Sequence, residues 1–407
     1  MNAYLHNPDK AASHLRKLTY DGAVRKYGFT LSCEVKERVD FELEIICGKY
    51  NPNIFLILHD LMETMENKGI MVGPGRGRIL SSIVAYCLNI THVDPLKHNF
   101  IFELFLSPER VSLPDIYFNI EDEQEAIRYL KEKYGFCPEI FEGCGTFKLS
   151  FMQLTFVRLN ALSIIHDCLK LIKKRHEKDI DINDIPLNDE ATYKLFEQND
   201  TIGVFYFETD DMVFDSKYWL SKVNTIGFDD FVAIISLYDM GSTDDLENYC
   251  LRKNDKASIR YAIPELDFIL DRTYGIAIYV EQIVLIARKI AGFNQYEADL
   301  LQYVITRKKK EKEMMAMLKE QFISRGCTKG YLKESLCSIW EEWEAFRLHA
   351  HQPYAFGQAL ISYQTAWLKC HYSIEFYMAS IKNPWSQGDL EKIMEDCRDH
   401  GIEIGTI

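Results

Sequence analysis

The chain has 407 residues, 47% of them apolar and 27% charged, which is ordinary for a folded protein and excludes wholesale disorder. Acids outnumber bases 61 to 47, for a net charge of -14, so contact with nucleic-acid phosphates would need a localised basic face. The first ten residues carry no apolar signal core, the clean apolar runs, such as Ile54 to Leu58, are far too short for a bilayer, and the 11 cysteines include no CxxC pair. The expectation is a cytoplasmic protein with reduced thiols, no disulfide frame and no zinc site.

In chain order, Val35, Val39, Leu43 and Ile46 recur at helical spacing and predict a helix over Lys36 to Cys47. Ile54 to Leu58 fits either a strand or the start of a buried helix. Gly73-Pro74-Gly75-Arg76-Gly77 is a loop, and Ser81 to Leu88 reads as a helix. Asp115 to Ile120 follows Pro114 and alternates, so it reads as a strand. Leu154, Val157, Ala161, Ile164 and Cys168 have the spacing of a further helix. Asp179 to Asp189 is acidic and polar and reads as a linker. Val280, Ile283, Val284, Ala287 and Ile290 mark an amphipathic helix stopped at Gly292. Gln302 to Gln321 and Leu390 to Cys397 are also read as helices.

Several groups carry potential chemistry. Gly73, Gly75 and Gly77 around Arg76 form either a tight turn or a cradle of N–H groups for a phosphate. Asp115, Tyr117, Asn119 and Glu121 share one strand face, which is either a solvated edge or the remnant of an oxygen-ligand site. His349 and His351 have no carboxylate or cysteine partner at metal-ligand spacing. Arg307 to Lys310 with Lys312 form a basic run broken by Glu311 and Glu313, which reads as a solvated helix face or a phosphate contact. Lys173-Lys174-Arg175 suits the negative end of a helix.

An ordered set of segments carries a resemblance. Gly73 to Gly77, Val84 to Leu88, Val93-Asp94-Pro95-Leu96 and Pro108 to Ile116 resemble the palm of the bacterial DNA polymerase III alpha subunit, the C-family replicative polymerase. Ile202 to Glu208, Ile263 to Leu266, Thr273 to Ile276, Glu281-Gln282, Ala291 to Phe293, Glu297 to Leu301 and Ser362 to Lys369 are similar to its later segments, in family order. The resemblance implies an α+β fold: a polymerase-beta-like palm with a small mixed sheet over 1–172, a linker over 173–190, and mostly helical fingers over 191–407. Only 38 positions separate Tyr117 from Thr155, where the family carries its thumb, so the thumb is expected to be absent, and with nothing before Met1 to supply it the PHP domain is expected to be absent as well.

The departures fall on the chemistry. The family strand reads PDIDIDF, and its second and third aspartates, with a later carboxylate, hold two catalytic metals. Matching positions here are Tyr117, Asn119 and Thr155, with only Asp115 kept. Gly73, Gly75, Arg76 and Gly77 match the phosphate loop, with Arg78 in place of a small residue. Gln302, Tyr303, His351, Gln352 and Tyr354 match nucleotide-facing positions of the fingers, with Tyr238 to Ser242 losing an arginine. Arg78 is expected to pair with Asp115 or a nearby acid. Two-metal phosphoryl transfer needs its carboxylates, so the resemblance implies no enzymatic activity, no cofactor and no metal. The expected role is an interaction or regulatory module in DNA replication or repair, with a protein partner and weak nucleic-acid binding at most. Alternatives are a non-catalytic nucleic-acid binder, or a residual polymerase or nucleotidyltransferase using Asp115, Glu121, Glu123 or Glu125.

Overall fold

The computed structural model describes residues 7–108, 115–141, 144–207, 216–223, 227–239, 243–255, 259–305, 311–345, 350–384 and 386–403. Two compact units share the chain. Met1–Pro108, Ser112–Met212 and Gly357–Ile407 form the first, and Glu109–Val111 with Val213–Phe356 form the second.

In the first unit, helices α1 (Pro8–Tyr27), α2 (Cys33–Lys49), α3 (Asn53–Asn67) and α4 (Ile83–Cys87) come before the sheet. Then follow β1 (Asp115–Ile120), α5 (Glu123–Tyr134), β2 (Glu139–Phe141), β3 (Cys144–Lys148), β4 (Gln153–Arg158), α6 (Asn160–His176) and α7 (Glu190–Glu197). The second unit holds α8 (Ser216–Lys222), α9 (Phe228–Asp239), α10 (Thr243–Asn254), α11 (Asp267–Leu270), α12 (Val280–Ala291), α13 (Gln295–Ile305), α14 (Lys312–Thr328) and α15 (Lys333–Ala345). Helix α16 (Gln352–His371) counts with the first unit from Gly357 on, as do α17 (Ser373–Lys382) and α18 (Gln387–Asp399).

Local chemistry sets many of the ends. Asn7 accepts the Lys10 N–H at 3.1 Å, with Pro8 in the first turn of α1. Asp122 accepts from the N–H groups of Gln124 and Glu125 and starts α5, and Gly135 closes it in the left-handed region. Gly292 ends α12 at φ +66°, as its sequence predicts.

The sheet runs β1-β4-β3-β2. Strands β1 and β4 are parallel, and the β2–β3 and β3–β4 pairs are antiparallel, so the sheet is mixed. A parallel pair needs a long crossover, here supplied by α5 and the β2–β3 hairpin. Ile116, Phe118, Ile120, Leu154 and Phe156 are buried on one face, where Phe118 and Phe156 stack at 6.2 Å between ring centroids. Ile127 and Leu130 of α5 belong to the same core. Period-2 alternation thus leaves Asp115, Tyr117 and Asn119 for the other face.

Two expectations are corrected, and one open alternative is decided. Leu154 and Val157 lie in β4 rather than in a helix, which begins only at Asn160. Their three-residue spacing is shared by accident with α6, and pairing to β1 and β3 on both sides decides for strand. Ile54 to Leu58 belongs to α3. The helix read over Gln302 to Gln321 is two helices, α13 and α14, with 306–310 outside the described residues. Helix α17 packs on α6, so the C-terminal helices count with the first unit. Residues 109–114, Met240 to Ser242, Arg307 to Lys310 and His349 lie outside the described residues, and with them the readings made there.

No described helix is long and apolar enough to cross a membrane. Every described cysteine is a free thiol. Thiol titration in denaturant without reductant should therefore find all 11 thiols of the sequence, and a reproducible shortfall of two would contradict this.

Candidate functional site

The polar face of the sheet meets the glycine turn along the outer edge of β1. Val72 bridges Ile120, the Gly73 N–H donates to the Asn119 carbonyl at 2.9 Å, and Arg76 bridges Tyr117. Residues 72–76 therefore run antiparallel to β1 as an irregular fifth edge. The turn needs its glycines: Gly75 sits at φ +119°, where a Cβ would lie 2.7 Å from Leu80 Cδ2.

Register places the expected site residues side by side. Tyr117 pairs across from Thr155, and Thr155 from Thr146. Tyr117 is 36% exposed, whereas Asn119 and Thr155 are buried. The hydroxyls of Thr146 and Thr155 lie 3.0 Å apart in a hydrogen bond. Asn119 Oδ1 accepts from the Arg76 guanidinium at 2.9 Å, while its buried Nδ2 has no partner. Arg76 is thus a cation that reaches this face. Arg78, expected to pair with Asp115 or a nearby acid, has among its contacts a hydrogen bond to the Leu104 carbonyl at 3.4 Å.

The acids proposed as replacement ligands are spread over different elements. Strand β1 stops at Ile120, so Glu123 and Glu125 sit in the first turn of α5. Glu125 forms ion pairs with Lys68 and Arg128. Glu121 accepts from His166 Nδ1 at 2.7 Å and from the Met71 N–H at 2.9 Å. Burial works to raise its pKa, yet those two bonds, with Lys170, hold it below the ordinary carboxylate range. Among the described residues, two groups of three side chains could hold a metal, Asp189–Cys370–His371 and Asp200–Asp396–His400, and neither includes a residue of this face.

The other expected set lies in the second unit. His351 Nδ1 is 3.2 Å from Glu281 Oε1, and the Gln352 N–H donates to Glu281 Oε2 at 3.1 Å. Tyr354 follows one turn on, its N–H donating to the His351 carbonyl. Gln302 and Tyr303 are near the end of α13, where the Tyr303 hydroxyl reaches Glu311 at 3.4 Å. The buried Glu281 that gathers His351 and Gln352 was not among the predicted site residues. Its signal was an acid placed beside Val280 and Ile283 on an otherwise apolar helix stripe.

Helix α16 also touches the glycine turn. A Cβ on Gly357 would stand 2.7 Å from the Gly75 carbonyl oxygen. Gly357→Ala gains about 1 kcal/mol of helix propensity, but displacing backbone costs more, so a net loss of about 1–3 kcal/mol is expected. Urea unfolding checks this; a raised midpoint would contradict the close approach.

Comparison with known proteins bears on this site. Residues 13–200 match the family model described as bacterial DNA polymerase III alpha NTPase domain, and residues 161–330 match the one described as bacterial DNA polymerase III alpha subunit finger domain. The DNA polymerase III subunit alpha of Aquifex aeolicus is 27% identical over 540 residues, covering 98% of this chain and 46% of that protein. That of Halalkalibacterium halodurans is 28% identical, covering 98% and 45%. That of Neisseria meningitidis serogroup B is 30% identical, covering 91% and 42%. The chain thus spans less than half the length of these curated relatives. The 540 aligned positions also exceed the 407 residues here, so the Aquifex protein has segments inside the matched region with no counterpart in this chain.

These matches overturn one expectation. The chain was expected not to be an enzyme, yet the relatives are named as a DNA polymerase subunit. Replacement at three aligned positions does not by itself remove an activity, because hard cations accept oxygen ligands of several kinds, including amides and carbonyls.

Proposed function

Since the chain is a homologue of the bacterial DNA polymerase III alpha subunit, we propose that it is a cytoplasmic protein that acts in DNA replication or repair as an interaction or regulatory module. On this reading residues 1–172 correspond to the palm, 173–190 to a linker and 191–407 to the fingers, and the thumb is the segment missing between β1 and β4. The working surface is the polar sheet face with Asp115, Tyr117, Asn119 and Thr155, bordered by Gly73, Gly75, Arg76, Gly77 and Arg78. Gln302, Tyr303, His351, Gln352 and Tyr354 are the matching fingers positions.

The observation that carries this reading is the bonding of the face. A uniformly acidic site would need a cation to hold it together. Here Asn119 is held by Arg76 and Thr155 by Thr146, and Tyr117 on the same face is 36% exposed. A protein partner of the replication machinery fits such a face better than a phosphate backbone does, given the net charge of -14.

A second reading, template-directed synthesis, is favoured by the relatives' names and by the retained Asp115. Primer extension with Mg²⁺ or Mn²⁺ separates the two. Incorporation that depends on template and is lost in Asp115→Ala would establish the second reading. An electrophoretic shift on primer-template, present at low salt and gone at physiological salt, would mark DNA contact as non-specific and leave the protein partner as the basis of function.

A further inference from the structure

Three donors of different chemistry meet where α7 begins and α16 ends. Asp189 is the N-cap residue of α7, and Cys370 and His371 are the last two residues of α16. A carboxylate oxygen, Cys370 Sγ and a His371 ring nitrogen all lie within 4.8 Å of one another. His371 Nε2 is 3.0 Å from Asp189 Oδ1.

Capping does not use up the carboxylate. Asp189 Oδ1 accepts from the Thr192 N–H at 2.8 Å and from the Thr192 hydroxyl at 2.7 Å. Asp189 Oδ2 and Cys370 Sγ accept no hydrogen bond from any described residue. The carboxylate is also fixed relative to α16. The Asp189 N–H donates to the Tyr363 hydroxyl at 3.1 Å, and that hydroxyl donates to the Pro186 carbonyl at 2.7 Å. On the other side, the His371 ring lies 4.8 Å from the Trp367 ring, centroid to centroid.

We propose that Asp189, Cys370 and His371 form a zinc-binding site with its fourth position open. An oxygen, a thiolate and an imidazole are the donor types Zn²⁺ takes, at bond lengths of about 2.0–2.3 Å. Tetrahedral bonds of that length put neighbouring donors roughly 3.3–3.7 Å apart. The His371 Nε2–Asp189 Oδ1 separation of 3.0 Å is a little under that value, and all three donor atoms lie within 4.8 Å of one another, so small side-chain adjustments bring the set onto one ion. The thiolate and imidazole together select against Mg²⁺ and Ca²⁺, which take oxygen sets.

The neighbouring group Asp200–Asp396–His400 does not make the same case. There the Lys369 ammonium already bridges Asp200 at 2.6 Å and Asp396 at 2.8 Å, so the position a cation would take is filled. The sequence alone points away from zinc because the ligands come from positions 189, 370 and 371, far from any CxxC spacing. The site goes beyond the proposed interaction role and stands or falls apart from it.

The test is a Co²⁺ titration of the chelator-stripped full chain, followed by displacement with Zn²⁺. One equivalent should bind with a sulfur-to-cobalt charge-transfer band and the strong visible bands of four-coordinate Co²⁺, both removed by Zn²⁺. Cys370→Ser should lose the charge-transfer band. Asp189→Asn keeps a good capping oxygen, so the fold is retained, and both it and His371→Ala should weaken Zn²⁺ binding at least about tenfold. Cys327→Ser, an exposed thiol of the second unit, should change nothing. Absence of the sulfur band in the unmodified protein, or its persistence in Cys370→Ser, would overturn the proposal.

Discussion

Replacing Glu42 by alanine is expected to cost about 3–5 kcal/mol, the loss typical of removing one partner from a buried ion pair. Glu42 is fully buried in α2. Its carboxylate accepts from Arg38 Nε at 2.7 Å, the Ser82 hydroxyl at 2.7 Å, and the N–H groups of Ile83 at 3.0 Å and Val84 at 3.2 Å. The last two are orphan donors at the start of α4, where a negative charge also suits the helix dipole. Arg38 in turn donates to the Ser81 and Phe100 carbonyls. One side chain thus fixes the segment that leaves the glycine turn, and its removal strands a guanidinium and two backbone donors. Urea unfolding followed by near-UV circular dichroism should show the midpoint falling sharply. A change under about 1 kcal/mol, the size of one ordinary hydrogen bond, would contradict this role.

A comparable loss, about 3–5 kcal/mol, is expected for Lys369→Met. The Lys369 side chain is 2% exposed and bonds to Asp200 Oδ1, to Asp396 Oδ2, and to the Asp200 and Ile202 carbonyls. Methionine fills the same space but leaves both carboxylates without their cation. Tyr377 donates to Asp396 at 2.6 Å, and His400 Nε2 is 2.8 Å from Asp200, so the defect reaches α17 and α18 through one network.

The same network gives a pH signature. Burial works to lower the His400 pKa, but the Asp396 carbonyl and the Asp200 carboxylate outweigh it and hold the imidazole above its ordinary value. Its contribution to stability is complete below the unfolded value of about 6.5 and is lost as pH rises through the higher folded value. Asp200 shifts the other way: burial works to raise its pKa, yet Lys369 and His400 hold it below the usual range. Its contribution is complete above the unfolded value of about 3.9 and fades as pH falls through the lower folded one. The stability gap between wild type and His400→Gln should therefore narrow between pH 6 and pH 8. A gap that widens over that interval would contradict the pairing.

Much of the sheet face was legible in the sequence, for identifiable reasons. Alternation in Asp115 to Ile120 after Pro114 reads as a strand because apolar residues at period 2 have no helical explanation. Strand β4 was misread because Leu154 and Val157 also fit the start of α6, and only pairing on both edges decides between the periods. The resemblance put Tyr117, Asn119 and Thr155 at corresponding positions, and register brings Tyr117 and Thr155 directly opposite one another. It could not tell which arginine would reach them. A turn of three glycines leaves the direction of each side chain open, and Arg76 rather than Arg78 donates to Asn119. The Lys369 network was out of reach for another reason: its partners are separated by 169 and 27 positions and follow no local pattern. The inference of no activity went beyond the residues, since missing carboxylates at aligned positions describe a ligand set and not a rate.

On the reading proposed above, the polar face around Tyr117 and Arg76 engages a protein of the replication or repair machinery. Quantitative affinity purification from the native host, comparing the tagged full chain with a Tyr117→Ala/Arg76→Ala variant of matched stability, tests it most directly. A replication or repair protein should be enriched with the unmodified chain and fall to background with the variant. Equal recovery with both chains, or no such protein with either, would contradict it.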